Sequence, residues 1–112
     1  MSKKVITEFD NRQQFQEFVS QYKGVFIVKF TADWCGPCKK IKDQVYNLYN
    51  NTKQTTMMAD LNVDKNQDVY SSLKIKSIPT FICYVRGIKC DVLVGSEPAD
   101  VNAFFETCES YT

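Results

Sequence analysis

Apolar and polar positions follow two different periods along this chain, and the changes of period mark its elements. Phe15, Phe18, Val19 and Tyr22 recur at i, i+3, i+4 and i+7, one face of a helix, and Asp10 with Gln13 ahead of them resembles a capping box. After Gly24 the pattern becomes a nearly continuous apolar run, VFIVKFTA, rich in β-branched and aromatic residues. Such a run predicts a strand covered on both faces, in the middle of a parallel sheet. From Cys38 onward, Ile41, Val45 and Leu48 return to helical spacing with Lys and Asn between them. TTMMADLNV predicts another strand, and Val69, Tyr70 and Leu73 a short helix. SIPTFICYV and IKCDVLVG flank Arg86-Gly87 and predict a hairpin. Pro98 at a helix start, followed by Val101, Phe104, Phe105 and Cys108, closes the chain with an amphipathic helix.

With KVITEF as a short first strand, the predicted order is β-α-β-α-β-α-β-β-α. A βαβ opening requires parallel strands and right-handed crossovers, whereas a tight hairpin requires an antiparallel edge. The expectation is an α/β sandwich with a mixed sheet, formed by one domain over residues 1–112. A chain of 112 residues buries roughly two-thirds of the surface its unfolded form exposes, enough for a core without covalent staples. The net charge of +1 and the scattered Lys and Arg residues leave no electrostatic footprint for nucleic acid. No window reaches the length of a membrane span, and MSKKVITEFDNRQQF lacks the apolar core of a signal peptide. The expected compartment is therefore the cytoplasm, where disulfides are transient and catalytic. Five cysteines, an odd number at irregular spacing, do not form a disulfide framework.

The chemistry is concentrated at WCGPC, residues 34–38, where the apolar strand gives way to the basic, helix-patterned segment. Cys35 falls at the start of a helix, whose unsatisfied N–H groups and partial positive charge stabilise an anion. The thiolate is such an anion, and it is the nucleophilic form of cysteine. Cys38 lies one turn on, near enough for the two sulfurs to meet. Pro37 has φ preset for a first helical turn, Gly36 adds no side chain beside the attacking sulfur, and Trp34 offers a flat apolar surface. The matching chemistry is thiol–disulfide exchange, with Cys35 as solvent-reachable nucleophile and Cys38 as resolving thiol. Half of a zinc site is the competing reading of C-x-x-C. It would need two more ligands from a chain with no His and no second C-x-x-C, so no metal site is expected.

At these residues the chain resembles the thioredoxin family, and the resemblance runs over nearly its full length. WCGPC matches the family's active-site motif; SIPTF matches the segment whose proline, here Pro79, is cis and lies against the active-site sulfurs. RGIK matches the hairpin glycine, and Val94-Gly95 the loop beside the active site. The resemblance implies a thioredoxin fold: a central mixed five-stranded sheet of order 1-3-2-4-5, its last two strands antiparallel, flanked by four helices. It implies a cytoplasmic reductant of protein disulfides with no bound cofactor beyond the redox-active Cys35–Cys38 pair. Electrons would come from a thioredoxin reductase, through which alone NADPH and FAD take part. Disulfide-containing client proteins would lie against Trp34, Gly36, Pro37, Val63, Ile78, Pro79, Val94 and Gly95. A monomer is expected. The competing functions are a disulfide-isomerase-like oxidase, opposed by the Gly-Pro between the thiols and the lack of an export signal, and a binding module in which the thiols are incidental.

One position departs from the family. The buried Asp usual six residues before the first active-site Cys is replaced by Lys29, and its usual Lys partner on the neighbouring strand is replaced by Asp60 of DLNVD. Two readings stand. Lys29 and Asp60 pair beneath the thiols, with Asp60 as proton acceptor for Cys38 and Lys29 as charge partner; or Lys29 snorkels to solvent and Asp60 is a solvated strand end. Among the other cysteines, Cys83 and Cys90 flank the hairpin. Arg is a poor first residue of a two-residue turn, so a three-residue turn with Gly87 left-handed is expected to set them out of register, as small core residues rather than a disulfide. Cys108 is expected to pack on the apolar face of the last helix.

Overall fold

The computed structural model describes residues 3–112. Its elements run β1 (Val5–Ile6), α1 (Arg12–Gln21), β2 (Val25–Thr31), α2 (Gly36–Lys40), α3 (Lys42–Asn50), β3 (Met57–Asn62), α4 (Gln67–Ser72), β4 (Thr80–Val85), β5 (Ile88–Val94) and α5 (Pro98–Glu109). The strands form one sheet of order β1-β3-β2-β4-β5. β1 and β2 run parallel to β3, β4 is antiparallel to β2, and β5 is antiparallel to β4. The expected mixed sheet and its order are both present.

β2 is the middle strand, buried from Val25 to Phe30. Its side chains alternate between two cores, as the twofold period of a strand requires. Phe26, Val28 and Phe30 face one side with Phe15 and Val19 of α1 and Val69 of α4. Val25 and Ile27 face the other with Val45 and Tyr49 of α3 and Val101, Phe104, Phe105 and Cys108 of α5. Each such side chain taken out of water contributes about 1.5–3 kcal/mol.

Four details differ from expectation. The cap of α1 is one residue later than Asp10–Gln13: Asn11 Oδ1 accepts from Gln14 N (2.9 Å), while Gln14 Oε1 accepts from Asp10 N (2.6 Å). Either register suits the sequence, since Asp10-Asn11 and Gln13-Gln14 each offer the same chemistry twice. The second predicted helix is broken into α2 and α3 at Ile41 (φ −100°, ψ 2°), so five helical segments flank the sheet rather than four. Residues three apart on an unbroken helix share a face. Here Cys38 joins one core and Ile41 the other, and the break lets the chain turn across the end of the sheet.

The hairpin turn is the third difference. Arg86 and Gly87 both have positive φ, 49° and 82°, so this is a two-residue type I′ turn despite the arginine. Pairing runs Val85↔Ile88 and Tyr84↔Lys89, then jumps to Cys83↔Asp91. Cys90 is the extra residue of a bulge, and it is the bulge, not the turn, that separates it from Cys83. The fourth difference follows: Cys83 is a core residue, but Cys90 is exposed.

Arg86 in the left-handed region costs roughly 1–2 kcal/mol. We expect Arg86→Asn, which suits that conformation, to raise stability by about 1 kcal/mol and the melting temperature by roughly 4 °C; an unchanged or lower melting temperature in a thermal scan would contradict the strain.

Candidate active site

β2 ends at Thr31, and the chain passes through Ala32, Asp33 and Trp34 before α2 begins. Cys35 is the N-cap of α2 and Pro37 stands in its first turn. Sγ of Cys35 accepts from Cys38 N at 3.2 Å, so the sulfur already occupies the position that an anion at a helix start would take. Because the helix breaks at Ile41, the field at this sulfur comes from the free N–H groups of the first turn rather than from a long helix. Cys35 and Cys38 are joined as a disulfide with their Cα atoms 5.3 Å apart. The expectation of an open Cys35 is corrected in degree: 4% of Cys35 and 1% of Cys38 remain exposed. The pair belongs to the core cluster on the α1 side, with Val63 in the same cluster and Ile78 packed against it. Of the two, Cys35 keeps the larger opening to solvent.

The landmarks lie at the same end of the sheet as the pair, since Thr80, next to Pro79, is the register partner of both Phe30 near the end of β2 and Val94. Trp34 is 67% exposed, and its Nε1 donates to Asp64 Oδ2 at 3.0 Å. Trp34, Val63, Asp64 and Tyr70 line one surface depression. The Ile78–Pro79 peptide bond is cis and Pro79 is buried. Gly95 N donates to Pro79 O at 3.0 Å, and Thr80 pairs with Val94, which leaves Val94 exposed. At φ 132°, Gly95 adopts a backbone conformation that favours glycine. A Cβ on Gly36, by contrast, would meet nothing within 4 Å, so the fold itself does not demand glycine there. Asp64, with the Asn62 side chain bonded to its backbone N, was not singled out by the sequence; a carboxylate in a polar loop carries no local signal.

Beneath the thiols the paired reading of Lys29 and Asp60 holds. The two residues are register partners on adjacent parallel strands, so their side chains share a face. Lys29 Nζ lies 3.9 Å from Asp60 Oδ1, with side-chain exposures of 1% and 10%. Lys29 does not snorkel. Asp60 Oδ2 accepts from Tyr46 Oη at 2.7 Å, a contact from α3 that sequence reading missed. Cys38, Lys29 and Asp60 line one small cavity of about 140 Å³ that opens to solvent past the exposed Asp33, Lys39 and Lys42. Burial lowers the Lys29 pKa from its ordinary value of 10.5; Asp60 opposes the shift and Lys42 adds to it. Among the described residues no three or more His, Cys, Asp or Glu side chains come together in a way that could hold a metal ion. No helix among them is long and apolar enough to cross a membrane.

A strand-end cysteine pair that can open and close, set on a helix start within a five-stranded mixed sheet, defines a thiol–disulfide oxidoreductase. The family model described as Thioredoxin matches residues 6–107. Thioredoxin AMT13 of Alternaria alternata is 34% identical over 95 residues, covering 85% of this chain and 80% of the relative. Equus caballus thioredoxin is 30% identical over 100 residues, covering 88% and 94%. The structure of Plasmodium falciparum thioredoxin superimposes with a TM-score of 0.79 at 29% identity, covering 93% of this chain and 97% of that one. The chain belongs to the thioredoxin family. Like other members it is a protein-disulfide reductase working through the Cys35–Cys38 pair.

Two outcomes check this geometry. Lys29→Met leaves the Asp60 carboxylate without its counter-ion and should cost about 3 kcal/mol in denaturant unfolding. A lysine whose folded pKa is lowered binds fewer protons folded than unfolded, so its own contribution to stability rises with pH up to 10.5. The stability difference between parent and Lys29→Met should therefore widen from neutral pH toward 10.5, and a flat difference would mean that Lys29 is not buried as a cation. Separately, alkylation of the native oxidised protein followed by mass spectrometry should modify Cys90 alone, because Cys83 and Cys108 are buried. Prompt labelling of either buried thiol contradicts their placement.

Proposed function

We propose that this protein is a reductant of client-protein disulfides in the cytoplasm, working as a monomer and recharged by a thioredoxin reductase that draws on NADPH and FAD. The Cys35 thiolate attacks a client disulfide: a bond forms between Sγ35 and one client sulfur, and the client's own S–S bond breaks. The other client sulfur leaves as a thiolate and takes up a proton. Cys38 then gives its proton to Asp60 and attacks Sγ35. The Sγ35–Sγ38 bond forms, the mixed disulfide breaks, and the second client sulfur leaves as a thiolate and takes up a proton, while Asp60 gives its proton back to solvent. The client has gained two electrons and two protons, and the reductase returns the same number to the Cys35–Cys38 pair.

The observation that carries this reading is the cavity shared by Cys38, Lys29 and Asp60. In this reading Asp60 accepts the proton of the buried resolving thiol and Lys29 favours the resulting thiolate; their shared cavity supports it. Clients would dock on Trp34, Gly36, Pro37, Val63, Ile78, Pro79, Val94 and Gly95, of which Trp34 and Val94 are exposed apolar groups, while the disulfide itself is nearly buried. A reducing compartment is in keeping with the free thiols of Cys83, Cys90 and Cys108.

NADPH oxidation, followed optically with a thioredoxin reductase and insulin as client, should proceed with the parent and fall to background with Cys35→Ser. Absence of turnover in the parent would overturn the reductant reading. Equilibration against glutathione should leave the pair mostly reduced at a cytosolic poise; a pair that stays oxidised would make it an oxidase instead.

A further inference from the structure

The two oxygens of Asp60 stand in different surroundings. Oδ2 accepts from Tyr46 Oη at 2.7 Å. Oδ1 is buried, has no hydrogen-bond partner, and lies 3.9 Å from Lys29 Nζ, beyond hydrogen-bond reach. A buried carboxylate oxygen left without a donor is costly, so something must hold the group in that orientation. Lys29 attracts it but does not bond it. The phenol on α3 is the one directional contact to the Asp60 side chain among the described residues.

We propose that Tyr46 is a positioning residue for the resolving half of the exchange: its phenol fixes the Asp60 carboxylate through Oδ2 and leaves Oδ1 available to take the Cys38 proton. This rests on reading Asp60 as the proton acceptor. Burial first, then the bond to Asp60, holds the Tyr46 pKa well above its ordinary range, so the phenol remains a donor throughout the pH range in which exchange operates. The other charged or titratable groups around this cavity are Lys29 on β2, Lys39 on α2, Lys42 on α3, Asp33 in the loop after β2, and Cys38 itself. Tyr46 touches none of the reacting atoms in this scheme; it acts through Asp60.

Tyr46→Phe keeps the ring and removes the donor. The reading is the release of the second thiolate from an excess of a chromogenic aryl disulfide after Cys35 has reacted, followed by stopped flow across pH. In the parent this step should slow toward acid as Asp60 takes up a proton. Loss of the hydrogen bond to Oδ2 should move the acid limb up by about one pH unit, the tenfold equivalent of a hydrogen bond to a charged group. The less constrained carboxylate should also slow the step about tenfold at neutral pH. A merely structural tyrosine would change unfolding but not the limb. 3-Fluorotyrosine incorporated at position 46, a stronger donor, should move the limb the other way, and it tests the same point should the phenylalanine variant fold poorly.

Asp60→Asn should abolish the limb, and the double variant Asp60→Asn with Tyr46→Phe should match Asp60→Asn alone. If Asp60→Asn leaves the limb in place, the acceptor reading falls and takes Tyr46 with it. If Asp60→Asn abolishes the limb but neither change at Tyr46 moves it, Asp60 stands and the role of Tyr46 is overturned. A Tyr46→Phe effect that persists in the Asp60→Asn background would also overturn it.

Discussion

β2 lies third of five strands and is buried from Val25 to Phe30, so none of those residues has a water-facing side to retreat to. That constraint organises the rest of the molecule. Both faces need cover, which α1 and α4 provide on one side and α3 and α5 on the other. Parallel pairing with β3 needs a crossover, and the crossover begins with the helix that carries the cysteines. The strand end therefore delivers Cys35 to a helix start, at the edge of a core that nearly closes over it. The same burial dictates the treatment of Lys29. A charge on this strand must be answered within the sheet, and the register places Asp60 beside it.

The exchange of charges relative to the family pattern keeps one carboxylate and one ammonium at the pair of positions. A carboxylate and an ammonium still share a buried face near the resolving thiol, because two register partners lie side by side whichever strand carries which sign. The carboxylate's neighbours do change. Carried on β3 rather than β2, it comes within reach of Tyr46 on α3, and one of its two oxygens is engaged there. An inverted pair thus gives the carboxylate different neighbours and is not simply a mirror image.

Much of the site was legible before the structure because it is local in the chain. WCGPC, the apolar run before it and the helical spacing after it are contiguous, and their juxtaposition needs only a strand followed by a helix. Details failed where two local solutions were equally good or where distant groups decided. Asp10-Asn11 and Gln13-Gln14 allow two capping registers, and the later one is used. The turn at Arg86 runs against propensity, which disfavours arginine at positive φ; here β4 and β5 impose the type I′ geometry, and Arg86 N donates to Gly24 O (3.3 Å). Cys90 reads as apolar in sequence but is extruded by a bulge, a feature of pairing between strands.

The amino-acid sequence by itself determined the element types, the mixed sheet implied by a βαβ opening and a terminal hairpin, and the pair of thiols able to exchange, since periodicity and contiguous motifs act over a few residues. Only the tertiary structure decided that Lys29 meets Asp60 rather than water, that Tyr46 engages that carboxylate, and that Cys38 shares a cavity with both. Those contacts join β2, α2, α3 and β3, and no local pattern encodes them. They arise because closing both faces of the central strand removes water from its charges and leaves other side chains as the groups that can satisfy them.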